Sequence, residues 1–388
     1  MVWYHFLVPE AHSLHGAAVI CAAPTGTATV AHTERDPTMA DLVEAGADAV
    51  GGFVALEPST LPAYLRNRGL APARGEIQVK TLAGGISNIV LRADWNGGNV
   101  VVKQSLPRLR VEADWEFDRS RILVERECIE VLSDLLPGAT PTLVFSDEAR
   151  LIIGITCLPA GGVVWKDAHM AGELNAERTE AAAQLLGTLQ RRTAGNRDVA
   201  ARFDDLMPLE QGRLDPYHRT AAAAHPDLAD RIDREVKRLL ATRTVLVHGD
   251  YAPKNLVAYR DSMMMLDFEV AHWGDPAFDP AFLLSLVVLG SCHHEHLGDA
   301  FMDEACRFWR TYRESAGAVG ATEPAVVAEL ACLLLARIDG KSPVEYITQE
   351  PKRQAVRRYA RALLLDDGRG GVELALARAR GILRHRGG

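Results

Sequence analysis

The chain has 388 residues, 48% of them hydrophobic and 24% charged, with a formal net charge of -8 at pH 7. That length can bury a large core in about two lobes, and an acidic balance without a basic stripe argues against a nucleic-acid binder. Six cysteines (Cys21, Cys128, Cys157, Cys292, Cys306 and Cys332) form no CxxC pair, the usage expected of reduced, buried thiols in a cytoplasmic protein.

Residues 1–48 read as an accessory or poorly ordered segment. Pro9, Glu10, His12 and Ser13 cut its apolar runs, and no basic n-region precedes them, so neither a signal peptide nor a membrane span is expected. Residues 49–158 are strand-like, with runs at 77–82, 89–95, 100–104, 142–145 and 151–155. Asn96-Gly97-Gly98 supplies a tight hairpin between two of these runs. One helical pattern, at 118–135, interrupts them and stops before Pro137, Gly138 and Pro141.

Pro159-Ala160-Gly161-Gly162 forms a hinge, after which residues 159–388 turn mostly helical, at 176–192, 228–241, 280–289, 299–316 and 324–338. Basic residues at 352–361 and 378–386 are separated by acidic or apolar ones and read as a solvated helical face. The architecture expected is α+β and two-lobed: a small β-rich N-lobe with one long helix that binds nucleotide, and a larger, mainly helical C-lobe for catalysis and substrate.

Within the helical half, "VLVHGDYAPKNLVAYRDSMMMLDFEVAHWGDPAFD" (245–279) is a local β-loop-β excursion. Asp250 follows its first strand and Asp267 its third, with Glu269 two residues on. Carboxylates and an amide gathered this way call for a hard cation, and oxygen ligands suit Mg²⁺. Asp250-x4-Asn255 matches the kinase catalytic loop, in which the Asp accepts a hydroxyl proton and the Asn binds metal. Taken alone His248 would be a turn cap, but within His-Gly-Asp-x4-Asn it belongs to the kinase-like loop, while Asp275 and Asp279 read as a helix cap and a brace for the loop carrying Asp267.

A kinase also needs a phosphate cover, a lysine and an acidic partner upstream, in that order. Gly84-Gly85-Ile86-Ser87-Asn88 lies between strands, where glycines let backbone N–H groups approach phosphate. Lys103 closes the strand Val100-Val101-Val102, and Glu125 or Glu127 on the following helix can pair with it. Glu125 is preferred because it lies seven residues before Leu132 and shares that inward face. Cys157 and Leu158, in the connector, are the expected adenine hinge.

These residues resemble the protein-kinase-like small-molecule phosphotransferases, which include aminoglycoside phosphotransferases, choline kinases and methylthioribose kinases. The resemblance spans roughly 54–350 and is most specific in "HGDYAPKN", "LDFE" and "GDPAFD". "VVKQSLPRLRVEADWEFDRSRI", the Asp267-x-Glu269 form and "LLARIDGKSPVEY" look closest to methylthioribose kinase. The resemblance implies ATP and Mg²⁺ as cofactors and a small-molecule hydroxyl as acceptor, most simply on a sugar or sugar-like compound. It implies Asp250 as catalytic base, with Asn255, Asp267 and Glu269 on the metal. Lys103 would be on the nucleotide phosphates and Arg337 on the substrate or transferred phosphoryl group, with His272 placed beside Arg337 on the substrate side. It also implies a homodimer.

Two departures stand out: Tyr-Ala-Pro-Lys-Asn after the His-Gly-Asp suits general sugar and aminoglycoside kinases better, and Phe268 stands where methylthioribose kinases have proline. The alternative expectation is a catalytically silent nucleotide-binding protein on the same fold.

Two further motifs read blandly. Gly340-Lys341-Ser342 lacks the upstream glycine of a phosphate-binding loop and reads as a helix C-cap and turn. "SCHHEH" (291–296) reads as lining of the substrate cleft or a helix end, against a zinc or copper site on Cys292, His293, His294 and His296.

Overall fold

The computed structural model describes residues 53–82, 86–111, 115–260, 262–366 and 369–382. The expected accessory segment, the glycines Gly84 and Gly85, and Cys21 lie outside them. Among the described residues no helix is long and apolar enough to cross a membrane, and the five cysteines carry no disulfide.

A first helix, α1 (Leu61–Asn67), precedes the N-lobe sheet of β1 (Ile77–Thr81), β2 (Asn88–Trp95), β3 (Gly98–Ser105), β4 (Leu143–Asp147) and β5 (Ile152–Ile155), with α2 (Arg121–Leu135) inserted before β4. The sheet order β1-β2-β3-β5-β4 puts β3 at its centre. Trp95 pairs with Gly98 across the turn, so Gly98 already belongs to β3, and Gly97 takes the positive φ of +93°. Lys103 therefore does not end its strand: β3 continues to Ser105.

Alternation along β3 gives the sheet two faces. Val100 and Val102 pack with Leu61, Tyr64 and Leu65 of α1 in a small cluster, whereas Val101 joins the main core with Ile122 and Ile129 of α2. Lys103 shares the α2 side. Helix α2 begins at Arg121 rather than at 118, because Asp118 Oδ1 accepts the Ser120 N–H at 2.7 Å and holds 118–120 as a turn.

The C-lobe opens with β6 (Val163–Val164), α3 (Trp165–Ala171), α4 (Ala176–Thr193) and α5 (Arg197–Arg202). A short α6 (Met207–Leu209) then widens into a π-helical stretch, Glu210–Arg219, and narrows again into α7 (Thr220–Ala224). Pro216 lies inside the wide part and has no N–H to donate. Its i−5 acceptor, Gln211 O, takes the indole N–H of Trp115 at 2.8 Å instead.

Helix α8 (Ala229–Ala241) leads into β7 (Val245–Val247), β8 (Leu256–Tyr259), β9 (Ser262–Met265) and β10 (His272–Gly274). The three expected strands form, but not as one sheet. β7 pairs with β10, a strand absent from the sequence reading, while β8 lies between β6 and β9. Helices α9 (Phe278–His293), α10 (Gly298–Ala316), α11 (Glu323–Asp339), α12 (Glu350–Leu365) and α13 (Gly371–Ile382) complete the lobe. In the basic stretch at 352–361, Arg357 pairs with Asp339 and Glu350.

Candidate active site

Lys103 is 7% exposed, and its Nζ lies 2.6 Å from Glu125 Oε2 and 2.8 Å from Asp267 Oδ1. One ammonium thus joins β3, α2 and the segment after β9. Burial opposes its charge, but Asp267 and Glu125 more than offset this and hold it protonated. Glu127 points elsewhere, pairing with Arg126 and Arg202.

Ser87 and Asn88 sit at the start of β2. The Asn88 amide donates to Glu269 Oε1, and Arg121 Nε lies 3.5 Å from Glu269 Oε2. Arg121, with no solvent exposure, also donates to Phe117 O, Asp118 O, Ser87 O and Leu106 O. The sequence reading missed this residue. Its signal was spacing: Arg121 precedes Glu125 by four and so shares its face.

On the C-lobe side, Asp250 is 6% exposed. Its Oδ1 lies 2.8 Å from Arg213 Nη2, and its Oδ2 2.7 Å from Lys254 Nζ and 2.9 Å from Asn255 Nδ2. Burial alone would raise the Asp250 pKa, yet Lys254 and Arg213 hold it well below the usual carboxylate range. Arg213, on the π-helical stretch, is anchored by Gly249 O and Gly212 O, both at 2.6 Å.

The loop carrying Asp250 is fixed from behind. His248 accepts the Asp250 N–H through Nδ1 at 3.2 Å, which leaves Nε2 to donate to Leu266 O at 3.1 Å. Burial pushes this imidazole down to about 4, so it stays neutral. Asp279 accepts the N–H groups of His248 at 2.8 Å and Gly249 at 2.9 Å. It therefore braces the loop of Asp250 rather than that of Asp267. Asp275 accepts the Ala277 N–H in the turn ahead of α9, which has no side-chain cap, and pairs with Arg238.

Asp267 has a left-handed backbone, φ +69°, which an L residue keeps only when its surroundings over-determine it. Carboxylate oxygens of Glu125, Asp267 and Glu269 lie within 4.8 Å of one another, the one such metal-capable group among the described residues. Beside them Asn88 Oδ1 is buried with no hydrogen-bond partner. An all-oxygen set with an unsatisfied carbonyl suits a hard divalent cation. The Asn255 main-chain carbonyl accepts the N–H of Leu266, the residue before Asp267, at 2.9 Å, while its side-chain amide donates to Asp250.

Arg337, near the end of α11, donates to the Tyr217 hydroxyl at 3.2 Å and to Ser342 Oγ at 3.0 Å. The Gly340-Lys341-Ser342 turn caps that helix, with Gly340 N–H on Ala336 O and Lys341 N–H on Pro216 O. Tyr217 lies under the Arg213 guanidinium, 5.2 Å from ring centroid to Cζ. Burial would raise its phenol, but Arg337 and Arg213 outweigh this and lower it.

His272 does not belong to this surface, contrary to the sequence expectation. It pairs with Val247 in β10, is 1% exposed, and bonds Val270 O through Nδ1. A side chain enclosed by core has no face for a substrate. Cys157 and Leu158 lie half-buried between β5 and β6, where a hinge was expected. The histidine run is a helix end: Cys292 is buried, and His294 stacks on Phe301 at 5.6 Å.

Residues 78–319 match the model of the phosphotransferase enzyme family, APH. The chain belongs to that family. It is a phosphotransferase acting on small-molecule hydroxyl groups. Methylthioribose kinases 1 and 2 of Oryza sativa subsp. japonica are each 24% identical to this phosphotransferase over 294 residues, 66% of this chain and 68% of theirs. Among solved structures, it is similar to a choline/ethanolamine kinase family protein from Mesorhizobium loti, with 16% identity and a TM-score of 0.47 over 84% of this chain and 98% of that one. It is also similar to amicoumacin kinase hAmiN, with 16% identity and a TM-score of 0.48 over 83% and 92%.

Proposed function

We propose that this phosphotransferase moves the γ-phosphoryl group of ATP to a hydroxyl of a neutral or anionic sugar-like molecule. The observation that carries the reading is the convergence of Lys103, bound to both Glu125 and Asp267, on the same cleft as an ionised Asp250. Lys103 takes the nucleotide phosphates, with Ser87 and Asn88 at the start of β2. Asn255, Asp267 and Glu269 would hold Mg²⁺, which when bound neutralises phosphate charge.

Asp250 orients the acceptor hydroxyl. Its depressed pKa makes it a weak base, which suits a loose transition state in which the proton leaves late. The hydroxyl oxygen forms the new bond to phosphorus, the bond to the bridging oxygen breaks with its electron pair on ADP, and the proton passes to Asp250.

Charge supports this acceptor class. Arg213, Lys254 and Arg337 gather around Asp250 and Tyr217, a setting that repels a polycationic aminoglycoside and accommodates a polyol or an anionic sugar. The 24% identity to methylthioribose kinases supports the same side.

The test is ATP consumption with Mg²⁺ over methylthioribose, other sugars, aminoglycosides, choline and homoserine, on wild type and Asp250→Ala. Turnover with a sugar, lost in the variant, is the expected result. Turnover confined to aminoglycosides overturns the acceptor assignment. Nucleotide binding without any transfer supports a silent, binding-only protein.

A further inference from the structure

Asp250 has a cation on each carboxylate oxygen, and the two are held differently. The Arg213 side chain is 6% exposed and bonded to two backbone carbonyls besides Asp250. Moving it would strand a buried guanidinium. The Lys254 side chain is 46% exposed. Among the described residues its ammonium makes no ion pair or hydrogen bond other than the one to Asp250 Oδ2. Its next electrostatic neighbour is Asp267, across the place where nucleotide phosphates would lie.

Asp250 Oδ2 is shared by Lys254 and the buried Asn255 amide, and of the three groups on this carboxylate Lys254 is the exposed one, the partner that an acceptor hydroxyl arriving at Oδ2 can displace without stranding a buried donor. The geometry points to Lys254 as a catalytic residue that changes partners, resting on Asp250 Oδ2 until the acceptor hydroxyl takes that oxygen, then binding the phosphoryl group in flight. This assignment rests on the phosphoryl-transfer reading above. Lys254 stays an ammonium throughout: the acceptor oxygen bonds to phosphorus, the bridging oxygen leaves with its electron pair on ADP, and the hydroxyl proton goes to Asp250.

Two consequences separate this role from simple support of Asp250. At rest Lys254 denies Asp250 to water and so suppresses idle ATP hydrolysis. During transfer it meets charge that develops only in the transition state, so its loss lowers kcat rather than raising KM.

The experiment compares wild type, Lys254→Met, Lys254→Gln and Lys254→Arg for acceptor-dependent transfer and for ATP hydrolysis without acceptor. Thermal midpoint and ADP affinity serve as controls for folding. For Lys254→Met and Lys254→Gln we expect kcat for transfer to fall about 100-fold with both KM values within about 3-fold. The ratio of hydrolysis to transfer should rise at least about tenfold, and Lys254→Arg should recover transfer to within about tenfold of wild type. Transfer within about 3-fold of wild type in Lys254→Met overturns the assignment while leaving the kinase reading intact. Equal loss of transfer and hydrolysis, with Lys254→Arg no better than Lys254→Met, also overturns it. A wild type that transfers phosphate to no acceptor overturns the kinase reading and this assignment with it.

Discussion

Arg121 Nε faces Glu269 Oε2 at 3.5 Å, a buried contact between the first turn of the N-lobe helix and the segment that follows β9. The same guanidinium holds Ser87 O and Leu106 O, so one side chain ties the start of β2 and the end of β3 to the acidic cluster. Arg121→Met takes from Phe117 O and Leu106 O the donor this side chain gives them, leaves Ser87 O and Asp118 O with only their backbone donors, and removes the charge facing Glu269. It should cost about 3 to 5 kcal/mol in urea unfolding. At temperatures where the variant remains folded, KM for ATP should rise while KM for the acceptor holds.

Lys103 and Glu125 form one unit with Asp267. Lys103→Met and Glu125→Gln should each lower kcat/KM for ATP by about 100-fold, and the double variant should be little worse than either alone. Steady-state kinetics on the three proteins reads the coupling directly. Fully multiplicative losses would show that the two residues act apart.

Gly249 has φ +76°, and a Cβ there would sit 2.5 Å from Val270 O. Its own carbonyl anchors Arg213. Gly249→Ala should therefore destabilise by about 3 kcal/mol and lower transfer at the same time. Chemical denaturation and an activity assay on one preparation would check both.

His169, His248 and His272 are buried and pushed down to about 4, so the native state keeps them neutral. The unfolded chain takes up their protons near pH 6.5, so stability is full above that pH and declines as pH falls toward 4. Each contributes about 2 kcal/mol to the loss at pH 5. The stability difference between pH 7 and pH 5 should shrink by about that amount in His272→Gln, which keeps a donor for Val270 O. Urea titrations at the two pH values measure it.

The parts of the site that follow from local spacing were legible in the sequence. Asp250, Asn255, Asp267 and Glu269 sit within twenty residues, and Glu125 was separable from Glu127 because a seven-residue offset from buried Leu132 fixes its side of α2. Arg213 was not legible. It comes 37 residues before Asp250, in a stretch whose glycine and proline read as breaks in a helix, and its direction depends on a widened turn that no periodicity announces. His272 was misassigned for a related reason: proximity to Glu269 in sequence says nothing about β10, whose pairing with β7 turns the ring into the core. On the N-lobe, alternation along β3 set the face of Lys103. The packing of α1 on the opposite face depended on a seven-residue helix too short to stand out.

The indole of Trp115 supplies to Gln211 the hydrogen that Pro216 cannot give, and that indole enters from the segment leading into α2. The widened turn is thus completed by the opposite half of the molecule. Swinging the halves apart uncovers a bare carbonyl on the very coil that aims Arg213 at Asp250.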